Sequence, residues 1–257
     1  MRALKRLDAW LNGQSLRGLD AIVLVPQITE EPPQIEATYG ENAGGHGQRL
    51  LQRRRTSRRI TVTVQLRELY DLARRAAVLD ALNAWAGDGL LQVSYRPGKQ
   101  IPVRCVSRPA MGPARDVLSE YAFGFDAAAQ PFWEDVIPEA LTLTGSDASG
   151  TLIVPGTEPC RITATITPTG GDLTAFSISA GDCAFEFADL DIAQDTPVTI
   201  DYVDHDYLAV TAGGVSLLDK RTAASDDDLI VSPGRRTVAF EANTACAVTV
   251  YARGLWT

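Results

Sequence analysis

RRRTSRRITVTVQLRELYDLARRAAVLDALNAWAGDGLLQVSYRPGKQIPVRCV, residues 53–106, and SEYAFGFDAAAQPFW, residues 119–133, decide the fold. The basic run, read as a loop, opens into ITVTVQL. There Ile60, Val62, Val64 and Leu66 fall on one face and Thr61, Thr63 and Gln65 on the other, the period of a half-buried strand. The next segment changes period. Leu72, Ala76, Leu79 and Leu82 share one side, with Arg74, Arg75, Asp80 and Asn83 opposite, predicting a helix over about residues 69–86 that Gly87 stops. LLQVSY, a turn at RPGK and IPVRCV read as a hairpin, and SEYAFGFDA as another alternating strand. One helix among strands makes this an α+β unit.

Upstream, Ile22–Val25 is a short apolar run that Pro26 ends, and Thr29–Arg59 turns polar and rich in Gly, Pro and charge. That reads as a long loop, functional or ordered by something else. Downstream of Asp135, VIPEALTLTGSDASGTLIVPGTEP reads as a linker leading into a new first strand. From there the pattern is all β: CRITATIT, TAFSIS, CAFEFADL, VTIDYV, YLAVT, VSLLD, LIVS, RTVAFEA and CAVTVYA, separated by turn-forming residues. Many short strands and no helical period predict a sandwich of jelly-roll type.

With 257 residues the chain has about twice the usual domain length, and charge divides it. Residues 1–140 carry 18 Lys and Arg against 16 Asp and Glu, and residues 141–257 carry 6 against 16, for a net charge of −8. We therefore expect a mostly β protein with an α+β domain at 1–140 and an all-β sandwich at 141–257. An acidic total argues against sequence-independent duplex binding, which needs Lys and Arg to neutralise phosphates. Asp8, Asn12 and Gln14 interrupt any N-terminal apolar run long enough for a signal peptide or membrane span, so the N-terminus reads as mature cytosolic sequence.

Reactive chemistry finds few candidates. His46 and His205 are the two histidines, and no nucleophile elbow occurs, so no catalytic residue is assigned. Asp201, Asp204, Asp206 and the run Asp226–Asp228 lack the spacing of a calcium loop and read as solvated turns, and His205 has no second nitrogen ligand nearby. No metal or cofactor is expected. Cys105, Cys160, Cys183 and Cys246 form no CxxC pair and read as free thiols, with Cys183 and Cys246 the pair to check for a disulfide. Trp85, closing the helix face, and Trp133, after Pro131 and Phe132, read as core. The Arg run admits three readings: a solvated charge run, an arm that binds a neighbour's carboxylates, or a phosphate site.

The order of these motifs resembles the distal tail protein (Dit) family of long-tailed siphophages: basic loop, ITV strand, helix ending near a Trp, hairpin on RPGK, strand closing at Pro-Phe-Trp. DTPVTIDYVDHDYLAV and DLIVSPGRRTVAFEA resemble the galectin-like second domain of those proteins. The resemblance implies a structural virion protein of the tail tip, made in the host cytoplasm, whose N-terminal domain closes a homo-oligomeric ring, six copies being the family's number. The ring would join tail-tube protein to tip hub protein and anchor receptor-binding or other peripheral proteins, with DNA merely passing through its lumen and no membrane contact. It favours the arm, which makes Arg53, Arg54, Arg55, Arg58 and Arg59 the candidate interface residues, since a head-to-tail ring needs two complementary patches per subunit. Two rivals stand beside it. One is a carbohydrate-binding accessory module for host adsorption, although this half has a single Trp, Trp256, and lacks the His-Asn-Arg set of galectins. The other is a tail-tube protein, which would not need the acidic sandwich.

Overall fold

A computed structural model describes residues 6–41, 46–67, 71–110, 119–203 and 207–257. The chain forms two compact units, Met1–Trp133 and Glu134–Thr257, and is mostly β, with one α-helix among the described residues.

In the first unit the strands are β1 (Ala9–Leu11), β2 (Gln14–Ser15), β3 (Val23–Glu31), β4 (Ile35–Glu41), β5 (Gln48–Arg55), β6 (Arg58–Leu66), β7 (Gly89–Val93), β8 (Lys99–Ser107) and β9 (Ser119–Ala127). Seven of them hydrogen-bond in the order β2-β1-β7-β8-β9-β6-β3, while β4 and β5 pair only with each other. The alternation read in ITVTVQL is realised: Ile60, Val62, Val64 and Leu66 are all fully buried, and β6 pairs along its whole length with β9. RPGK turns the β7–β8 hairpin, with Lys99 N donating to Arg96 O at 3.2 Å.

Three expectations are corrected. Pro26 does not end a strand. β3 runs on to Glu31, and the missing N–H of proline is absorbed where Val25 and Pro26 lie against the single residue Val64, a bulge on an edge strand. Among the described residues, Thr29–Arg59 is not a loop but the end of β3, the paired strands β4 and β5 and the start of β6.

The third correction is the buried face of the helix. α1 (Leu72–Trp85) starts at Asp71, whose carboxylate accepts from Ala73 N and Arg74 N at 3.0 and 3.1 Å; the expected start near residue 69 lies outside the described residues. The buried stripe is Arg75, Val78, Leu82 and Trp85, whereas Leu72 is 69% exposed. Trp85 sets this rotation: its ring meets Phe123 and Phe125 of β9 edge-on at 6.3 and 5.8 Å, and its Nε1 donates to Gln14 O at 2.9 Å. Arg75 then faces inward and donates to the Tyr121 hydroxyl at 3.0 Å.

The strand β10 (Trp133–Asp135) lies at the division between the units. The second unit contains β11 (Glu139–Val154), β12 (Cys160–Pro168), β13 (Phe176–Ala180), β14 (Cys183–Phe187), β15 (Val198–Val203), β16 (Tyr207–Ala212), β17 (Val215–Ser216), β18 (Ile230–Val231), β19 (Gly234–Ala252) and β20 (Leu255–Trp256). The segment read as a linker is therefore the 16-residue β11, and RTVAFEA and CAVTVYA are one 19-residue strand, β19. Along one edge β19 pairs with β11 throughout. Along the other it pairs first with β13, through residues 238–242, and then with β12, through residues 246–252. The break between Gly145 and Asp147 lies opposite residues 242–245 and bends both strands within one hydrogen-bonded sheet. Their inner faces supply one core, with Phe176 stacked on Phe187 at 4.9 Å and Phe240 beside it. VSLLD gives two strand residues and then a 3-10 turn at Leu218–Lys220.

Candidate assembly interface

The β4–β5 hairpin is a two-stranded sheet with almost every residue exposed on both faces. Such a ribbon buries too little by itself to be stable in water. Its exposed side chains are apolar and cationic: Ile35, Tyr39, Leu50 and Leu51 are each at least half exposed, beside Arg49, Arg53 and Arg54. Arg54 pairs with Glu36 across the hairpin at 2.7 Å, with both partners in solvent, so the pair adds little to stability. At Gly40 a Cβ would meet Leu51 Cδ1 at 2.9 Å, so this glycine lets the leucine lie across the ribbon.

What fixes the hairpin is its root. The carboxylate of Glu30, at the end of β3, gathers four side chains. Its Oε1 accepts from Arg58, from Trp133 Nε1 at 2.9 Å and from Arg96 Nη2 at 3.0 Å; its Oε2 accepts from the Tyr95 hydroxyl at 3.1 Å and Arg96 Nε at 3.2 Å. Arg58 opens β6, so Glu30 and Arg58 clamp the two chain segments that enter and leave the hairpin. Closing the neck, Thr56 N donates to Gln34 O at 2.9 Å and Gln34 N to Thr56 Oγ1 at 3.2 Å.

The arginine candidates therefore separate. Arg53, Arg54 and Arg59 are exposed. Arg55 is half-buried, its guanidinium 5.6 Å from the Phe132 ring centre. Arg58 is 2% exposed and donates through Nε to Pro131 O at 2.7 Å, so it serves the fold and presents nothing at the surface. Burial, and then the charge of Arg96, lower its pKa to about 10, which leaves it cationic at neutral pH. Sequence reasoning placed Arg58 in a basic loop, and it missed Glu30, whose partners lie 28 to 103 residues away.

Other candidates are dispersed. His46 is exposed. Among the described residues no three His, Cys, Asp or Glu side chains group to hold a metal, and Asp204, His205 and Asp206 lie outside them. Asp201 accepts from Tyr202 N. Asp226 accepts from Ala184 N, Asp227 from Arg221 and Asp228 from Arg161, three separate turn contacts. All four cysteines are free thiols, Cys183 and Cys246 included. Trp133 is fully buried, and Trp256 Nε1 donates to the Asp135 carboxylate at 3.1 Å. Among the described residues no helix is long and apolar enough to cross a membrane.

This arrangement of a seven-strand path with one helix, a free basic hairpin and a second all-β unit is the fold of phage tail hub and baseplate proteins. It is, in particular, a Dit-like fold. The chain is similar to the SPP1 Dit protein, described as a paradigm of the hub adsorption apparatus in phages infecting Gram-positive bacteria. The TM-score is 0.71 at 13% identity over 97% of this chain and 99% of that one. It is also similar to a chain of the phage P2 baseplate in its activated conformation with Ca, at TM-score 0.53 and 10% identity over 97% and 98% of the two chains. The same baseplate with Sr gives 0.52 at 10% identity over 98% of each chain. No family model and no curated protein matches the sequence.

Proposed function

We propose that this protein is a structural component of a siphophage tail tip whose first unit closes a homo-oligomeric ring of six copies, joining tail tube to tip hub and anchoring peripheral or receptor-binding proteins. The observation that carries the reading is the β4–β5 hairpin: an exposed ribbon with apolar and cationic side chains, unable to stand alone, mounted on a buried Glu30–Arg58 clamp. The Dit-like fold supports it along the whole chain. A neighbouring subunit would cover Tyr39, Leu50 and Leu51, while Arg53, Arg54 and Arg59 meet its carboxylates, giving the two unlike patches that a head-to-tail ring requires. The division into a ring-forming first domain and a peripheral sandwich follows the same reading, as does a location at the virion tail tip. No step in this role calls for a catalytic group.

Multi-angle light scattering of the purified chain at micromolar concentration, alone and with tail-tube or hub protein, tests it. A closed assembly of about six copies is expected. A chain that stays monomeric under every condition, with no partner drawing it into a ring, would sink the reading.

A further inference from the structure

A second basic site lies away from the hairpin, in a cleft of about 550 Å³ on the first unit. It is lined by Arg6, Arg17, Arg96 and Lys99, with Trp10 and Pro97 as its apolar surface, and among the described residues no Asp or Glu lines it, although Glu30 binds Arg96 and Asp8 accepts from Arg17 N. Trp10 is held outward by the strand period, since its neighbours Ala9 and Leu11 are buried on the inner face while Trp10 is half-buried on the outer one. The register fixes it between Ser15 and Gln92. Arg96 is equally fixed, because its Nε and Nη2 are both engaged by Glu30 and its guanidinium lies 5.3 Å from the Trp133 ring centre. Arg6 and Arg17 have no carboxylate partner among the described residues, although the chain carries 32 acidic residues against 24 Lys and Arg.

We infer that this cleft binds an acidic peptide segment of a protein partner, one in which carboxylates flank a large apolar side chain. In an acidic protein, two arginines, Arg6 and Arg17, left without a carboxylate partner among the described residues beside an ordered, outward Trp are placed for an intermolecular contact, and Trp and Arg are the residues that dominate such contacts. The volume falls within the roughly 300–1,000 Å³ of organic-ligand sites, too large for a lone oxyanion and sufficient for a few peptide residues. The apolar side chain packs on Trp10 and Pro97, and the carboxylates meet Arg6 and Arg17. The cleft shares Arg96 with the Glu30 cluster at the hairpin root but includes none of the hairpin's own residues, so the inference stands whether or not the chain forms a ring.

Fluorescence anisotropy on the full chain tests it with a labelled hexapeptide of alternating Glu and Phe, the same peptide with Gln for Glu, and pyrophosphate as competitor. The Glu peptide should bind, weaken with salt and lose at least about tenfold in affinity on Arg6→Ser with Arg17→Ser, or on Trp10→Ala. Arg235→Ser, an exposed cation of the second unit, should change nothing, and melting temperatures should match the parent. Arg6→Ser alone, at an exposed position, keeps the test open should the double variant fold poorly. Equal binding of the Gln peptide, indifference to the Arg6 and Arg17 changes, or pyrophosphate binding as tightly as the peptide would each overturn the inference.

Discussion

The indole Nε1 of Trp133 donates to the Glu30 carboxylate at 2.9 Å, across 103 residues of chain, and both groups lie at the root of the β4–β5 hairpin. The bond joins the end of the first unit to the strand that launches the exposed ribbon. It also places a neutral donor beside two cations, Arg58 and Arg96, on one carboxylate.

Removing the charge of Glu30 should therefore cost more than removing its neutral indole donor. Glu30→Gln leaves Arg58 buried without its counter-charge, which costs roughly 3–5 kcal/mol. Trp133→Phe deletes one bond to an acceptor that keeps its other partners, with an expected loss of about 1–2 kcal/mol. Urea unfolding of the two variants checks the order, and a Trp133→Phe loss equal to that of Glu30→Gln would contradict it.

The arginines should divide by burial. Arg53→Ser, Arg54→Ser and Arg59→Ser together are expected to leave the melting temperature within a few degrees of the parent while weakening self-assembly by at least about tenfold. Arg58→Ser, which empties a buried site and removes one of the two cations on Glu30, should lower stability before assembly can be scored. Scanning calorimetry paired with light scattering distinguishes the two effects, and assembly that ignores the triple change would rule out the arm.

The apolar part of the hairpin gives a separate test. Leu50→Ser with Leu51→Ser changes side chains that are 50% and 61% exposed in the single chain, so monomer stability should hardly move. Assembly should be lost if a neighbour covers them. Sedimentation velocity at matched concentrations reads this directly.

Thiol chemistry should follow burial as well. Cys160 and Cys246 are 2% and 1% exposed, whereas Cys105 and Cys183 are partly exposed, so a thiol reagent should label two groups in the folded chain and four after denaturation. Burial, and then the nearby Asp135 charge, push the Cys160 thiol up to about 11 from 9.0. Because the folded-state value is raised, its contribution to stability is complete below pH 9 and is lost as pH climbs toward about 11, an effect on the order of 2–3 kcal/mol. Cys160→Ala should flatten that alkaline decline, and an unchanged slope in urea melts across this range would refute the assignment.

Much of the architecture was legible because it is local. The period of two in ITVTVQL and SEYAFGFDA follows from the pleat, RPGK from turn chemistry, and the helix at DLARRAAVLDALNAW from its apolar spacing. The buried face of that helix differs from the apolar spacing because Leu72, at its first turn, is 69% exposed, while Trp85 at the far end finds Phe123 and Phe125. EALTLTGSDASGTLIV reads as a linker since Gly, Ser and Asp break its pattern, yet pairing with β19 over most of its length makes it a strand.

The sequence by itself determined the strand period of ITVTVQL and SEYAFGFDA, the existence of the helix, the mostly β class and the change in charge between the halves, since these depend on composition and on neighbours a few residues apart. Tertiary structure decided which arginines serve the fold and which face solvent. Arg58 and Arg59 are adjacent in sequence and alternate across one strand, and what separates them is the carboxylate waiting on the inner face: Glu30, supplied by β3. A charge can be buried where a distant segment brings its partner, and that pairing is not written in the run of residues around it.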